Sequence, residues 1–344
     1  MRGLQMAYEM LGPHAENTTD PGLAWARQSR IAKQFFYGTG VLQAAPAGAI
    51  TVYRHWFPNP DLNPTGKGAA VAADVIAGCG GFHPTYIELY VGIGMELGAG
   101  LERHVAFTRE ASAYAHSRGY KVAGFSFYVT HPLDAASVRY LADNNYGDCD
   151  ILSMHSYWGQ KGQSHFDAYH HEDVYNWAGG RLPPDGIIIT ECGRDAVYAG
   201  DLPGWLAYPL SHEQFLGELR QFNDHIMGTP YVKGATPFTT GPTPDWAKFE
   251  MDRLVPEILG SAPPPCAVGC HWDAASQACV NDSDGLPCGQ VPPGPGGLTP
   301  EKVLIATGLA AGAILALTYA LGQDDENYGE SPPEGLEAYP LRRR

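Results

Sequence analysis

Eight short apolar or β-branched runs, each followed by a helical or polar stretch, constrain this chain more than any other feature. They read Gly3–Tyr8, Arg30–Phe36, Ala49–Trp56, Tyr86–Val91, Lys121–Tyr128, Asp150–Tyr157, Gly186–Glu191 and Val232–Phe238. The stretches between them carry helix signals. Leu101 to Arg118 has apolar residues at helical spacing with Gly119 as its stop, and Ser211-x-x-Gln214 has the form of a capping box. Strands that alternate with helices pair in parallel, and eight such units close into a barrel of about 250 residues. The expected fold class is therefore α/β, a (β/α)8 TIM barrel over residues 1–260. An open doubly wound sheet is the competing architecture, but it needs a glycine turn for phosphate after an early strand. Gly66-Lys67-Gly68 lacks the full spacing of such a turn.

The character changes after residue 260. Ser261 to Cys266 reads SAPPPC, a proline-rich break that ends the last barrel helix. Residues 261–300 hold Cys266, Cys270, Cys279 and Cys288 in the spacing C-x3-C-x8-C-x8-C, followed by the linker VPPGPGG. Such a cluster suggests two disulfides or a zinc knuckle with His271 as a further ligand, and the lack of C-x2-C pairs favours disulfides. Disulfides would put this part of the chain in an oxidising space. Within residues 301–322, Val303 to Leu321 runs 19 residues without a charge, long enough to cross a bilayer as a helix. A buried core helix is the other use of such a run, yet after a Pro/Gly linker it has no core to join. Lys302 before it and Asp324, Asp325 and Glu326 after it leave the orientation open. A polar tail, 323–344, follows.

Charge excludes some partners. The chain has 22 Lys and Arg against 37 Asp and Glu, a net charge of −15. Nucleic acid and anionic lipid both call for a basic face, so no nucleic-acid partner is expected. Cys79, Cys149 and Cys192, scattered through the barrel region, read as small buried hydrophobes. The N-terminal MRGLQMAYEM has no charged region followed by an apolar one, so no ordinary secretory signal is visible. His170-His171-Glu172 reads as a solvated loop, since adjacent side chains point different ways. Neither a metal nor a cofactor is expected.

In such a barrel the active site lies at the C-terminal ends of the strands. Those ends offer Arg54, His55 and Trp56 after the third run, Glu88 in the fourth, and His155, Tyr157 and Trp158 in the sixth. The seventh ends Thr190-Glu191-Cys192-Gly193, and Trp246 follows the eighth. Carboxylates, imidazoles and aromatic rings converging on one rim suit a sugar, whose apolar faces stack on rings while its hydroxyls take hydrogen bonds. The plain alternative for Glu191 is an ion pair with Arg54 or Arg194.

The runs ILSMHSYWG, IIITECGRD, PGWLAYPLSHEQF and VKGATPFTTGPTPDWAKFEM resemble the second half of a glycoside hydrolase barrel. They are similar to the clan of retaining enzymes that includes cellulase-like and xylosidase-like families. That resemblance implies Glu191 as the nucleophile, His155 and Tyr157 bordering the cleft, and Trp246 flooring a sugar subsite. It also implies an Asn-Glu pair at the end of strand four, whose Glu is the acid/base. Here Val91 and Gly92 stand in those places, in Ile87-Glu88-Leu89-Tyr90-Val91-Gly92. Glu88 and Glu96 are the remaining candidates for the proton donor.

The expected function is a glycoside-hydrolase-like barrel that cleaves or binds a carbohydrate. The alternative is a catalytically inactive glycan-binding or structural surface protein, for instance a component of a membrane-containing virus. Either would be anchored through Val303 to Leu321 with the barrel outside the bilayer, on a cell or virion surface.

Overall fold

The computed structural model describes residues 8–35, 38–55, 66–89, 99–127, 134–159, 168–195 and 204–260, with the backbone of 270–273 and 278–281. Strands and helices alternate: β1 His14–Ala15, α1 Asp20–Ala26, β2 Ile31–Phe35, α2 Gly40–Ala44, β3 Ile50–Arg54, α3 Gly68–Gly78, β4 Tyr86–Glu88 and α4 Ala99–Ser117. They continue with β5 Lys121–Phe127, α5 Ala135–Asp143, β6 Ile151–Trp158, α6 His170–Trp177, β7 Ile187–Arg194, α7 His212–Met227, β8 Val232–Thr240 and α8 Val255–Ile258. Every neighbouring pair of β1 to β8 is parallel, and β1 pairs with β8 to close the barrel.

The first strand is not where the sequence put it. Gly3–Tyr8 lies almost wholly outside the described residues, and the barrel closes through His14 and Ala15, with Leu11 bridging Ala235. Gly12 and Pro13 explain the choice. A side chain at Gly12 would sit 1.7 Å from the Ile31 carbonyl oxygen, so only glycine lets β1 approach β2. Pro13 gives up no donor that the ladder needs, and its carbonyl accepts from the Lys33 amide at 2.8 Å.

Helix ends follow the expected chemistry. The capping box of α7 is present in both directions: the Ser211 hydroxyl accepts from the Gln214 amide at 3.2 Å, and the Gln214 side chain accepts from the Ser211 amide at 2.7 Å. Helix α4 stops at Gly119, whose φ of +81° only glycine adopts freely. There the Tyr120 amide donates to the Ala115 carbonyl at 3.0 Å and the Gly119 amide to His116 at 3.0 Å, capping the last turn.

Alternation along the strands fills the barrel in layers. Ile31, Val52, Tyr86, Ala123, Ile151 and Ile188 pack together as an apolar floor. Two residues further along, the same faces present Lys33, Arg54, Glu88, Ser153 and Thr190, all buried. The barrel therefore changes from oil to charge in one residue pair of each strand, and that step positions the site. Cys79, Cys149 and Cys192 are buried free thiols, as expected, and burial pushes Cys79 up to about 12.

Beyond the barrel, Cys270–Asp273 and Ala278–Asn281 pair as a two-stranded sheet. The side chains of Cys266, Cys270, Cys279 and Cys288, and the whole of Val303 to Leu321, lie outside the described residues. Among the described residues, no helix is long and apolar enough to cross a membrane.

Candidate active site

Glu191 stands in the C-terminal half of β7, 7% exposed, and both of its oxygens are held. Oε1 faces the Arg54 guanidinium at 3.0 Å and the Lys33 ammonium at 3.3 Å, with His14 Nε2 at 3.8 Å. Oε2 accepts from the Tyr157 hydroxyl at 2.9 Å and lies 3.3 Å from His155 Nδ1. A bulge produces this aim. The pairing of β6 with β7 skips one residue between Met154 and His155, so Thr190 and Glu191 both serve the barrel interior.

Below it lies Glu88, fully buried. Its Oε2 is 2.7 Å from Lys33 Nζ, while Ser126, Ser153 and Thr190 donate hydroxyl hydrogen bonds to Oε1 at 2.8, 2.7 and 2.6 Å. Ser126 reaches in from a bulge in β5, where its φ is +38°. Lys33 also donates to the Thr190 carbonyl at 3.2 Å, so its three ammonium protons meet Glu88, Glu191 and Thr190. Two carboxylates and two cations thus share one buried network.

Burial pushes both carboxyl groups up, but the charges around them win. His155, Lys33, Arg54 and His14 oppose burial at Glu191, and Lys33, Arg54 and His155 oppose it at Glu88. Both acids stay well below the usual carboxylate range. At neutral pH the attraction comes from Lys33 and Arg54, because burial lowers His155 to about 4 and lowers His14 well below its ordinary value. Glu88 is consequently a poor proton donor: it is ionised, enclosed and already surrounded by donors.

A third carboxyl, missed in the sequence, meets the requirement better. Glu16 follows β1, next to the end of β8, and is fully buried. The Thr243 amide donates to Oε2 at 2.6 Å, and Oε1 has no hydrogen-bond partner among the described residues. Burial, opposed by the Thr243 bond and assisted by the charge of Glu191, raises Glu16 to about 7. His14 and Lys33 were missed as well. Their signal is parity: His14 and Glu16 alternate around Ala15, and Lys33 lies between inward-facing Ile31 and Phe35.

The remaining candidates separate. Arg54 is at the site, its guanidinium 4.6 Å from the Phe35 ring centroid. Tyr157 packs with Phe238 and Phe249, and Trp246, 36% exposed, meets Phe238 edge-on at 5.4 Å. His55 follows β3, half-buried, whereas Trp56 and Glu96 lie outside the described residues. Trp158 is a correction. Its neighbour Tyr157 points into the barrel, so Trp158 points out, donating to Glu218 of α7 at 2.9 Å and packing on Phe222. Arg194 also faces outward and pairs with Glu218, which leaves Arg54 as the arginine partner of Glu191. Trp158→Ala is therefore expected to cost about 3–5 kcal/mol of stability by denaturant unfolding, with any ligand affinity of the folded fraction unchanged. His170 and His171 are corrected too: they occupy the first turn of α6 and are buried, not solvated.

Fold and site together define a (β/α)8 barrel with a buried carboxylate–cation network inside it. No protein-family profile matches the chain, and no curated protein matches it. Among solved structures it is similar to a GH128 subgroup I endo-β-1,3-glucanase from Amycolatopsis mediterranei, at 12% identity and a TM-score of 0.46, over 71% of this chain and 92% of that one. It is also similar to a GH86 β-porphyranase from Bacteroides plebeius (14%, TM-score 0.39, 67% of this chain and 39% of that one). A GH10 structure from Paenibacillus barcinonensis gives 11% identity and a TM-score of 0.43, over 68% of this chain and 84% of that one.

Proposed function

We propose that the barrel acts on a glycosidic bond, with Glu191 as the attacking carboxylate and Glu16 as the group that carries the proton. The observation that supports this most is the aim of Glu191. It is held as an anion in the C-terminal half of its strand, with Tyr157 and Arg54 fixing one oxygen each. Retaining cleavage needs one ionised and one protonated carboxyl on the same cleft, with environments that push their pKa values apart. Glu191 is held low, and Glu16, close enough to feel its charge, is raised to about 7, which is the split such a pair needs. Trp246 supplies an exposed ring at the same rim for a sugar face.

The test is hydrolysis of aryl glycosides across pH, run beside a glycan-binding screen. Activity is expected to fall as pH rises through about 7, where Glu16 loses its proton. Glu16→Gln should remove that alkaline limb and slow substrates with poor leaving groups most, since a good leaving group needs no proton. An unchanged pH profile in Glu16→Gln would sink the assignment. Stability gives an independent check. The folded chain keeps the Glu16 proton from the usual carboxylate value up to about 7, so folding weakens as pH rises across that window. Glu16→Gln should regain about 2 kcal/mol at pH 8 relative to pH 5.

A second reading has its own observation. Glu88, in strand four, is paired with Lys33, and Glu191 is countered by two cations, a balance that serves binding as well as attack. On that reading the barrel holds a glycan without cleaving it. Saturable glycan binding with no turnover of any aryl glycoside supports it, and turnover lost in Glu191→Gln overturns it.

A further inference from the structure

The structure assigns a divalent-cation site to the outer layer of the barrel, where His171 and Glu172 of α6 meet His225 of α7. One ligand atom from each lies within 4.8 Å of the other two. Glu172 Oε1 and His225 Nε2 are 2.9 Å apart. The rings of His171 and His225 have centroids 5.7 Å apart and planes at 69°, so their edges can be turned on one point. A tetrahedral ion with bonds of about 2.1 Å needs ligand atoms about 3.4 Å apart, which small side-chain rotations supply here.

The surroundings suit an ion. Tyr169 stacks on His225 at 3.9 Å, and Tyr231, itself stacked on Tyr175 at 4.1 Å, borders His171. These rings fix the imidazoles from the closed side, where His171 is fully buried. Glu172 and His225, with side chains 31% and 30% exposed, leave the other side open to an entering ion and its water. Two imidazoles and one carboxylate are a donor set for Zn2+, leaving a fourth position for water. His171 and Glu172 come from the first turn of α6 and His225 from the last turn of α7, so the ion would tie two helices that follow different strands. Tyr231 directly precedes β8, which puts the cluster at the N-terminal end of the strands, away from Glu191. That end of a barrel serves stability rather than chemistry, and the ion's role is that of a staple.

Zn2+ titrated calorimetrically into the metal-stripped full chain, wild type beside His225→Ala, tests this. The four cysteines after residue 265 are a second place for zinc, so the difference between the two proteins is the readout. Wild type is expected to take one equivalent more than His225→Ala, and Glu172→Gln to weaken that equivalent by about tenfold or more. Zn2+ should also raise the melting temperature of wild type more than that of His225→Ala. Equal stoichiometry and affinity in wild type and His225→Ala overturns the site. If His225→Ala does not fold, the same comparison with Glu172→Gln decides, and unchanged affinity there overturns it.

Discussion

Lys33→Met should cost about 3–5 kcal/mol of folding free energy at pH 7. The methionine fits the space of the lysine stem, so packing is not the cause. What is lost is the ammonium, which lies 2.7 Å from Glu88 and 3.3 Å from Glu191, both enclosed. Removing one partner strands a charge in a region that the solvent does not reach. Glu88 then follows burial, the influence that Lys33 now overrides, and its pKa rises. The pH dependence of stability inverts with it. In wild type the folded-state pKa of Glu88 is depressed, so its contribution is present above the ordinary carboxylate value and is lost as pH falls through the folded value. In Lys33→Met the folded value is raised, and stability is greatest at low pH and falls as pH climbs past the unfolded value. Urea unfolding of both proteins at pH 5 and pH 8 checks the sign. Lys33→Met with Glu88→Gln should recover more than half of the loss, because the amide oxygen still accepts from Ser126, Ser153 and Thr190 without a charge to shelter. A loss under about 1 kcal/mol in Lys33→Met would mean that the network is not holding these charges.

The behaviour of Lys33 also marks where sequence reasoning stops. Strands β2 to β8 were legible because a parallel barrel strand is buried on both faces and reads as a β-branched or apolar run bounded by breakers. Strand β1 was not. His14 and Ala15 follow Gly12 and Pro13, which have the look of a turn, and the strand is defined by closure against β8, a contact more than 200 residues away along the chain. The strand-end residues Glu191, Arg54, His155 and Tyr157 meet because each belongs to the inward face of its strand. Trp158 failed on the same rule, being one residue past an inward tyrosine. Lys33 and Glu16 were hidden for another reason. A lysine inside an apolar run, or a glutamate after a short strand, reads locally as solvent-facing. Only the pairing of β2 with β1 and β3 places Lys33 over the barrel axis beside two carboxylates. The α6–α7 cluster was hidden likewise, since His225 lies 53 residues from Glu172 and only packing brings them to 2.9 Å.

Glu191→Gln is expected to lower turnover of an aryl glycoside by about 1,000-fold or more while leaving the fold intact. Glutamine keeps the shape and the acceptor for Tyr157, so the geometry of the rim survives, but the amide cannot form a glycosyl ester. Stability should move in an informative way. The substitution removes one of two anions from a network with two cations, and it leaves Arg54, itself nearly buried, with a neutral partner. A loss of about 1–3 kcal/mol follows, smaller than for Lys33→Met because Lys33 keeps Glu88. With one negative charge gone, Glu16 should titrate lower than its present value of about 7, since Glu191 is among the influences that raise it. Three measurements therefore bear on one residue: turnover, unfolding free energy, and the alkaline limb of any residual activity or binding. A fall in turnover with stable folding supports nucleophilic attack by Glu191. Activity that survives Glu191→Gln within about tenfold would instead make the carboxylate a ligand of Arg54 and Lys33, with the chemistry elsewhere on the rim.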